Sequence, residues 1–413
     1  MAMSATPADD SIVPVVAEVV LAPDRWTRIT DPALLLDELL RECVRLDASD
    51  LHLAPGLPPY YRTHGVLEPP VGIEPFSSQC LDQLVQVLAR QFDKAPLEAT
   101  GSLDGAITSK DNTRYRFNIF RRGGQLSIAL RRLEDRFRSL ADLGLPDALY
   151  SLCDLPDGLV IVAGPTGAGK STTLATLIDR VNRTRRAHIV TIEDPIEYVH
   201  RPLHSLVNQR QIGLDTPTFN DALVASLRQD PDVILVGEIR DLATIRTAIT
   251  AAETGHLVFT TVHAGDCVGT VERLVSVFPA DEQHGIRRQL SLVMRAIVAQ
   301  HLLIADGAQG VETAPDGQTR RRGRVVASEV LFINGAVGNL IATGKSAQIY
   351  SAMESGAAAG MQTQEECLAR LWSTGRISEA TAIMAARNPE IMRDRHARMS
   401  SRFNSGTRNG GGK

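Results

Sequence analysis

The sequence predicts an α/β chain of two domains, a mixed N-terminal one and a larger one built on a mostly parallel sheet. Three observations predict it. Short apolar runs alternate with helical patterns from residue 159 onward, the stretch GPTGAGKSTT directly follows the first of these runs, and residues 32–132 pass from a helix-spaced start into hairpin-like strands. The 413-residue length with 43% apolar residues can supply two or three buried cores.

Taken in order, residues 1–25 read as a flexible leader, Pro-containing and without a persistent period. A globular domain over 26–145 follows. From Pro32, PALLLDELLRECVRLDASDLHL places apolar residues at helical spacing and runs into a strand. LHLAPGLPPYYRTHGVLEP holds strand-like pieces broken by Pro-Gly and Pro-Pro, and TRYRFNIFRRGGQLSIALRRL alternates like a hairpin folded at Gly123-Gly124. The prolines of Leu145-Pro146 and Leu155-Pro156 mark the boundary, and 146–390 form the second domain. Its apolar runs LVIVA, HIVTI, VILVG and LVFTTV each end beside polar residues, where ligands of such sheets sit.

The chemistry begins at Gly164. Gly164-x4-Gly169-Lys170-Ser171 has P-loop spacing after a strand, so the loop Gly164, Pro165, Thr166, Gly167, Ala168, Gly169 can turn its N–H groups around a phosphate at a helix N-terminus. Lys170 would meet the β- and γ-phosphates, the Ser171 hydroxyl would ligate Mg²⁺, and Thr172 continues the cradle. Nucleotide binding, with ATP and Mg²⁺ as ligands, is the direct implication. Beyond HIVTI lie Glu193, Asp194 and Glu197, acids that near a γ-phosphate could hold Mg²⁺ through water or activate the attacking water. Glu238 follows VILVG at the Walker B position and would reach the metal through water. His256 and His263 bracket LVFTTV, and contact with phosphate or with a site carboxylate is their expected role.

Composition excludes several classes. No apolar run approaches the roughly 20 residues of a membrane span, and the first twenty residues carry no Lys or Arg, unlike a signal peptide, so a cytoplasmic protein is expected. Five cysteines (43, 80, 153, 267 and 367) contain no CxxC pair, which points to reduced thiols and to neither a disulfide framework nor a zinc knuckle. A net charge of −4 argues against a surface made to grip nucleic acid.

Together the P-loop, TIEDPIEYV, RQDPDVILVGEIRD and TAAETGHLVFTTVHA resemble the Walker A, Asp, Walker B and His boxes of the secretion and type IV pilus ATPases, the superfamily of GspE/PulE. The resemblance spans roughly residues 30–390. It implies a PAS-like N-terminal domain, a RecA-like P-loop ATPase domain with a helical C-terminal part, and a homo-oligomer, a hexameric ring in this family. It also implies that Glu197 is the general base, that His256 and His263 sense phosphate, and that Arg273 lies at the nucleotide. Arg114, Arg116, Arg121, Arg122, Arg131 and Arg132 of the hairpin are candidates for the family's charge-neutralising fingers, and the sequence does not choose among them.

Within the family, LLIADGAQGVETAPDGQTRRRGRVVASEVL lacks the cysteines of the assembly-type zinc insert, and residues 346–372, with Gly360-Met361-Gln362-Thr363, resemble the retraction type, PilT/PilU. The resemblance thus implies a motor for pilus retraction and twitching motility, placed at the cytoplasmic face of the inner membrane and acting on a platform protein there. One motif departs: the retraction type's AIRNLIRE is AVGNLIAT here, with Gly338, Ala342 and Thr343 replacing its charges, which opens an accessory role beside a paralogous pilus ATPase. A pilus-assembly or type II/IV secretion ATPase, a RecA-like DNA motor and a regulator without turnover are the other readings. Residues 391–413, rich in Arg, Gly, Ser and Asn, read as a basic disordered tail.

Overall fold

The computed structural model describes residues 26, 29–63, 66–70, 72–133, 136–305, 311–313, 319–321 and 323–406, so the leader expected over 1–25 lies outside the described residues. The chain divides into two compact units after Leu133. The first contains α1 (Pro32–Arg45), β1 (Asp50–Leu53), β2 (Tyr60–Thr63), β3 (Val66–Glu68), α2 (Ser78–Leu88), α3 (Ala95–Ala99), β4 (Ser102–Thr108), β5 (Arg114–Arg122) and β6 (Gln125–Arg132). Its strands form one antiparallel sheet in the order β3-β2-β1-β6-β5-β4.

Local chemistry explains the elements. Asp31 caps α1 by accepting from the Ala33 N–H at 2.9 Å, with Pro32 at the first helical position. Gly123 and Gly124 take φ of 56° and 81°, the pair of left-handed conformations that a two-residue hairpin turn requires. Alternate residues Tyr115, Phe117 and Ile119 of β5 face the core with Leu39, Leu81 and Leu84 of the helices, all fully buried. The opposite parity places Arg114, Arg116 and Arg122 on the other face of β5, and Arg131 joins them by pairing with Arg116 across the ladder.

The second unit holds α4 (Leu140–Leu143), a 3₁₀ segment (Asp147–Asp154), β7 (Gly158–Ala163), α5 (Lys170–Thr184), β8 (His188–Glu193), β9 (Leu206–Gln211), α6 (Phe219–Ser226), β10 (Val233–Val236), α7 (Leu242–Glu253), β11 (Leu257–Val262), α8 (Cys267–Ser276) and α9 (Gln283–Val293). It continues through β12 (Met294–Ile304), a small ribbon of β13 (Val311–Thr313) and β14 (Thr319–Arg321), β15 (Arg324–Phe332), and helices α10 (Gly335–Ala342), α11 (Ile349–Ser355), α12 (Gln364–Ser373), α13 (Glu379–Ala385) and α14 (Pro389–Gly406). Seven strands form one sheet, β15-β12-β7-β11-β10-β8-β9, parallel except for the β12–β15 pair. Every residue of β7, β10 and β11 is buried, because apolar clusters cover the sheet on both faces.

Three expectations are corrected. The boundary falls before residue 145, because Leu140, Leu145, Leu149 and Leu152 are buried in one cluster with Leu174, Leu177 and Ile178 of α5. The glycine of AVGNLIAT is more than the loss of a charge. Gly338 is buried where α10 meets α9, and a β-carbon there would stand 3.3 Å from the Ser291 carbonyl oxygen, so close approach between the helices favours glycine. Residues 391–406, expected in a disordered tail, are helical. Asn388 caps α14 through the Ile391 N–H at 3.1 Å, Met392 is fully buried, and His396 stacks on Trp372 with ring centroids 3.5 Å apart. Tertiary contacts on one face thus outweigh a composition that favours disorder, and residues 407–413 lie outside the described residues.

Candidate functional site

The carboxyl ends of β7, β8, β10 and β11 open onto a cavity of about 480 Å³ lined by the P-loop, the acid cluster, Glu238 and His263. The loop backbone is built for an anion. Gly164, Gly167 and Gly169 have φ of 151°, 77° and 87°, and a β-carbon on Gly167 would meet nothing within 4 Å, which leaves its side of the loop open for a ligand. The loop is also supported from beneath. Gln300, fully buried on β12, donates to the Ala168 carbonyl at 2.7 Å and accepts from the Thr173 hydroxyl at 2.9 Å.

Lys170 closes the loop, its Nζ lying 3.0 Å from the carbonyl oxygens of both Gly164 and Pro165. Burial lowers its pKa, while Glu238 and Glu197 act in the opposite direction, so the two carboxylates and the ammonium share one electrostatic site. Ser171 borders the cavity at the first turn of α5. Glu238 lies 2.6 Å from Arg240 and 3.6 Å from His263 Nε2. Arg240 is well exposed, so its ion pair with Glu238 is a weak tether. His263 is held below the usual imidazole pKa, first by burial and then by the Lys170 charge, with Glu238 opposing. At neutral pH it is a neutral ring that can donate one hydrogen bond.

Asp194 and Glu197 line the cavity as exposed side chains on the loop after β8. Glu193 also borders it, but its carboxyl is engaged by the Thr191 hydroxyl at 2.6 Å and Gln209 Nε2 at 3.0 Å, and burial raises its pKa. That group is a hydrogen-bond hub at the edge of the cavity.

His256 is not brought to the site. It precedes β11, its Nδ1 lies 2.9 Å from the Ala251 carbonyl, and the cavity opens at the far end of that strand. Two residues that bracket a six-residue strand stand about 20 Å apart, so sequence proximity here means spatial separation. Arg273, exposed on the last turn of α8, does not line the cavity, although its charge reaches His263.

Sequence reading missed Gln300, Tyr198, His200, Gln209, Arg240 and Arg324. Only Gln300 left a visible signal, a polar residue within the apolar run Ala296–Ala299 and Leu302 of a strand beside β7. His200 borders the cavity almost fully buried, stacks on Phe137 with centroids 4.7 Å apart, and has no partner for Nδ1 among the described residues. Burial pushes its pKa from 6.5 down to about 4. Between those values the unfolded chain binds the extra proton, so the stability from neutral His200 is present above pH 6.5 and lost as pH falls toward 4. The loss is about 3 kcal/mol. Urea unfolding at neutral pH and at about pH 4.5 is expected to show it in wild type and much less in His200→Phe; equal losses in both would contradict this assignment.

A cradle of backbone donors at a helix mouth, a lysine and a hydroxyl beside it, and carboxylates on adjacent strand ends is the equipment of a nucleotide triphosphatase. The family described as type II/IV secretion system protein matches residues 32–374. The chain belongs to this family. It is 39% identical over 355 residues to the type IV pilus retractation ATPase PilT of Pseudomonas aeruginosa, covering 86% of this chain and 99% of that protein. To a twitching motility protein of Neisseria gonorrhoeae it is 40% identical over 334 residues, covering 81% and 86%. A crystal structure of the pilus retraction motor PilT with bound ADP matches with a TM-score of 0.76 at 40% identity, over 86% of this chain and 98% of that one. The family match spans parts of both units and the strands whose ends border the cavity. Among the described residues no helix is long and apolar enough to cross a membrane.

Proposed function

We propose that the chain is an ATPase motor of the pilus-retraction type, acting in the cytoplasm as a hexameric ring against an inner-membrane platform protein. The single observation that carries the catalytic part is the convergence of Lys170, Glu197, Glu238 and His263 on the P-loop cavity. Relatives named for pilus retraction and twitching motility at 39% and 40% identity support the motor part.

In this reading the loop N–H groups and Lys170 bind and orient the phosphates, and Ser171 with Glu238 would hold Mg²⁺. The metal would supply positive charge to the phosphates. Glu197, exposed to the cavity on a short loop, takes the proton of the attacking water. Neutral His263, 3.6 Å from Glu238, donates to phosphate and reports its presence to the strand end. Of the hairpin arginines, Arg132 and Arg131 are committed to Asp47 and Asp50 at 2.6 and 2.8 Å. Among the described residues Arg116 has only a 4.0 Å contact, with Asp104, and with Arg114 on the same face it is the better candidate to neutralise charge at a neighbouring subunit's nucleotide.

Purified wild type is expected to hydrolyse ATP with Mg²⁺, and Glu197→Ala to lose at least about 100-fold in kcat. Both should elute with hexameric mass. A monomer without turnover would defeat the motor reading, and full activity in Glu197→Ala would defeat the assignment of the base.

A further inference from the structure

The stretch LVNQRQ of β9 lies outside the boxes, yet its side chains hold the loop that carries Glu197. Gln211 Oε1 accepts from the Ile196 N–H at 3.4 Å. Gln209 donates from Nε2 to the Tyr198 carbonyl at 2.8 Å and accepts at Oε1 from the His200 N–H, also at 2.8 Å. Spaced two residues apart on one strand, the two amides project from the same face. Gln209 Nε2 also holds the Glu193 carboxyl at 3.0 Å, at the start of the same loop. Residues 196, 198 and 200, on both sides of Glu197, are therefore fastened by side chains of β9. The Tyr198 hydroxyl adds a bond of 2.9 Å to Thr172, next to Ser171.

We propose that Gln209 is a positioning residue for the Glu197 carboxylate, with Gln211 completing the fastening. The proposal rests on the reading of Glu197 as general base. Each attachment acts on the backbone, so it fixes where the carboxylate stands relative to the P-loop while leaving that carboxylate free to take a proton. Gln209 spends both ends of its amide on this loop. Displacing a catalytic group by about 1 Å lowers turnover by one to two orders of magnitude without weakening ground-state binding.

The test is a double-mutant cycle in steady-state Mg-ATPase assays on full-length wild type, Gln209→Ala, Glu197→Ala and the double variant. Gln209→Ala is expected to lower kcat at least about 10-fold with KM for ATP changed by less than about twofold, and to cause no further loss once Glu197 is alanine. Equal losses in both backgrounds would overturn the proposal, as would a rise in KM that accounts for the whole effect, or an unchanged kcat. If Glu197→Ala alone keeps wild-type turnover, the reading of the base has failed and takes this proposal with it; the single variant identifies that case. Should Gln209→Ala not fold, Gln209→Met keeps the length and apolar bulk while removing both amide bonds, and the same cycle applies.

Discussion

Gly164→Ala is expected to destabilise the second unit by about 3 kcal/mol and to abolish nucleotide binding. Two independent terms produce the loss. The backbone at 164 has φ of 151°, a conformation that an L side chain rarely adopts, and the new β-carbon would overlap the Gln300 carbonyl oxygen, a backbone atom of the adjoining strand β12. Neither neighbour can yield cheaply, since Gln300 is fully buried and the Ala168 β-carbon stands 3.0 Å away on the other side. Relief must come from the loop itself, which would rotate its N–H groups out of the cradle. Thermal denaturation and titration with a fluorescent ATP analogue read the two effects separately. A variant with wild-type melting temperature would show that the loop can shift without cost, contrary to the close packing described above.

Lys170→Ala is expected to behave differently: hydrolysis falls at least about 1,000-fold while the fold is kept. The ammonium stands at the mouth of the loop, where charge on the phosphates would develop, and no other lysine lines the cavity among the described residues. Its contribution to stability runs the other way. Burial lowers the Lys170 pKa, so the folded state disfavours the charge that the unfolded chain carries freely, and losing it costs little at neutral pH. Equal stability with lost turnover, measured by urea unfolding and Mg-ATPase assay on the same preparation, would assign the residue to chemistry. A large drop in stability would make the lysine structural.

The two variants illustrate where sequence is informative. Gly164 and Lys170 belong to a motif whose physics is local: glycine conformations, consecutive N–H groups and a helix start all lie within ten residues, so spacing alone implied the cradle. Strand runs beside acids or histidines were legible for the same reason. Asn388-Pro389, a cap and a first-turn proline, would likewise have announced α14 before its arginine-rich composition was weighed. Composition describes a helix with one buried face poorly, because Met392 and the His396 stack matter more than the exposed arginines.

By itself, then, the sequence determined the P-loop, the order of strands carrying Glu193, Glu197, Glu238 and His263, and the hairpin turn at Gly123-Gly124. Tertiary structure alone decided which of these groups meet. A parallel sheet gathers only carboxyl ends, so His263 reaches the cavity and His256 is left at the opposite end of β11. Gln300 supports a loop more than a hundred residues earlier in the chain, because β12 adds to the sheet beside β7. Glu193 became a hub through Gln209 of an edge strand, and Gly338 became a packing position through α9. Each of these depends on long-range placement of a buried polar or small group, and neither periodicity nor motif spacing carries that information.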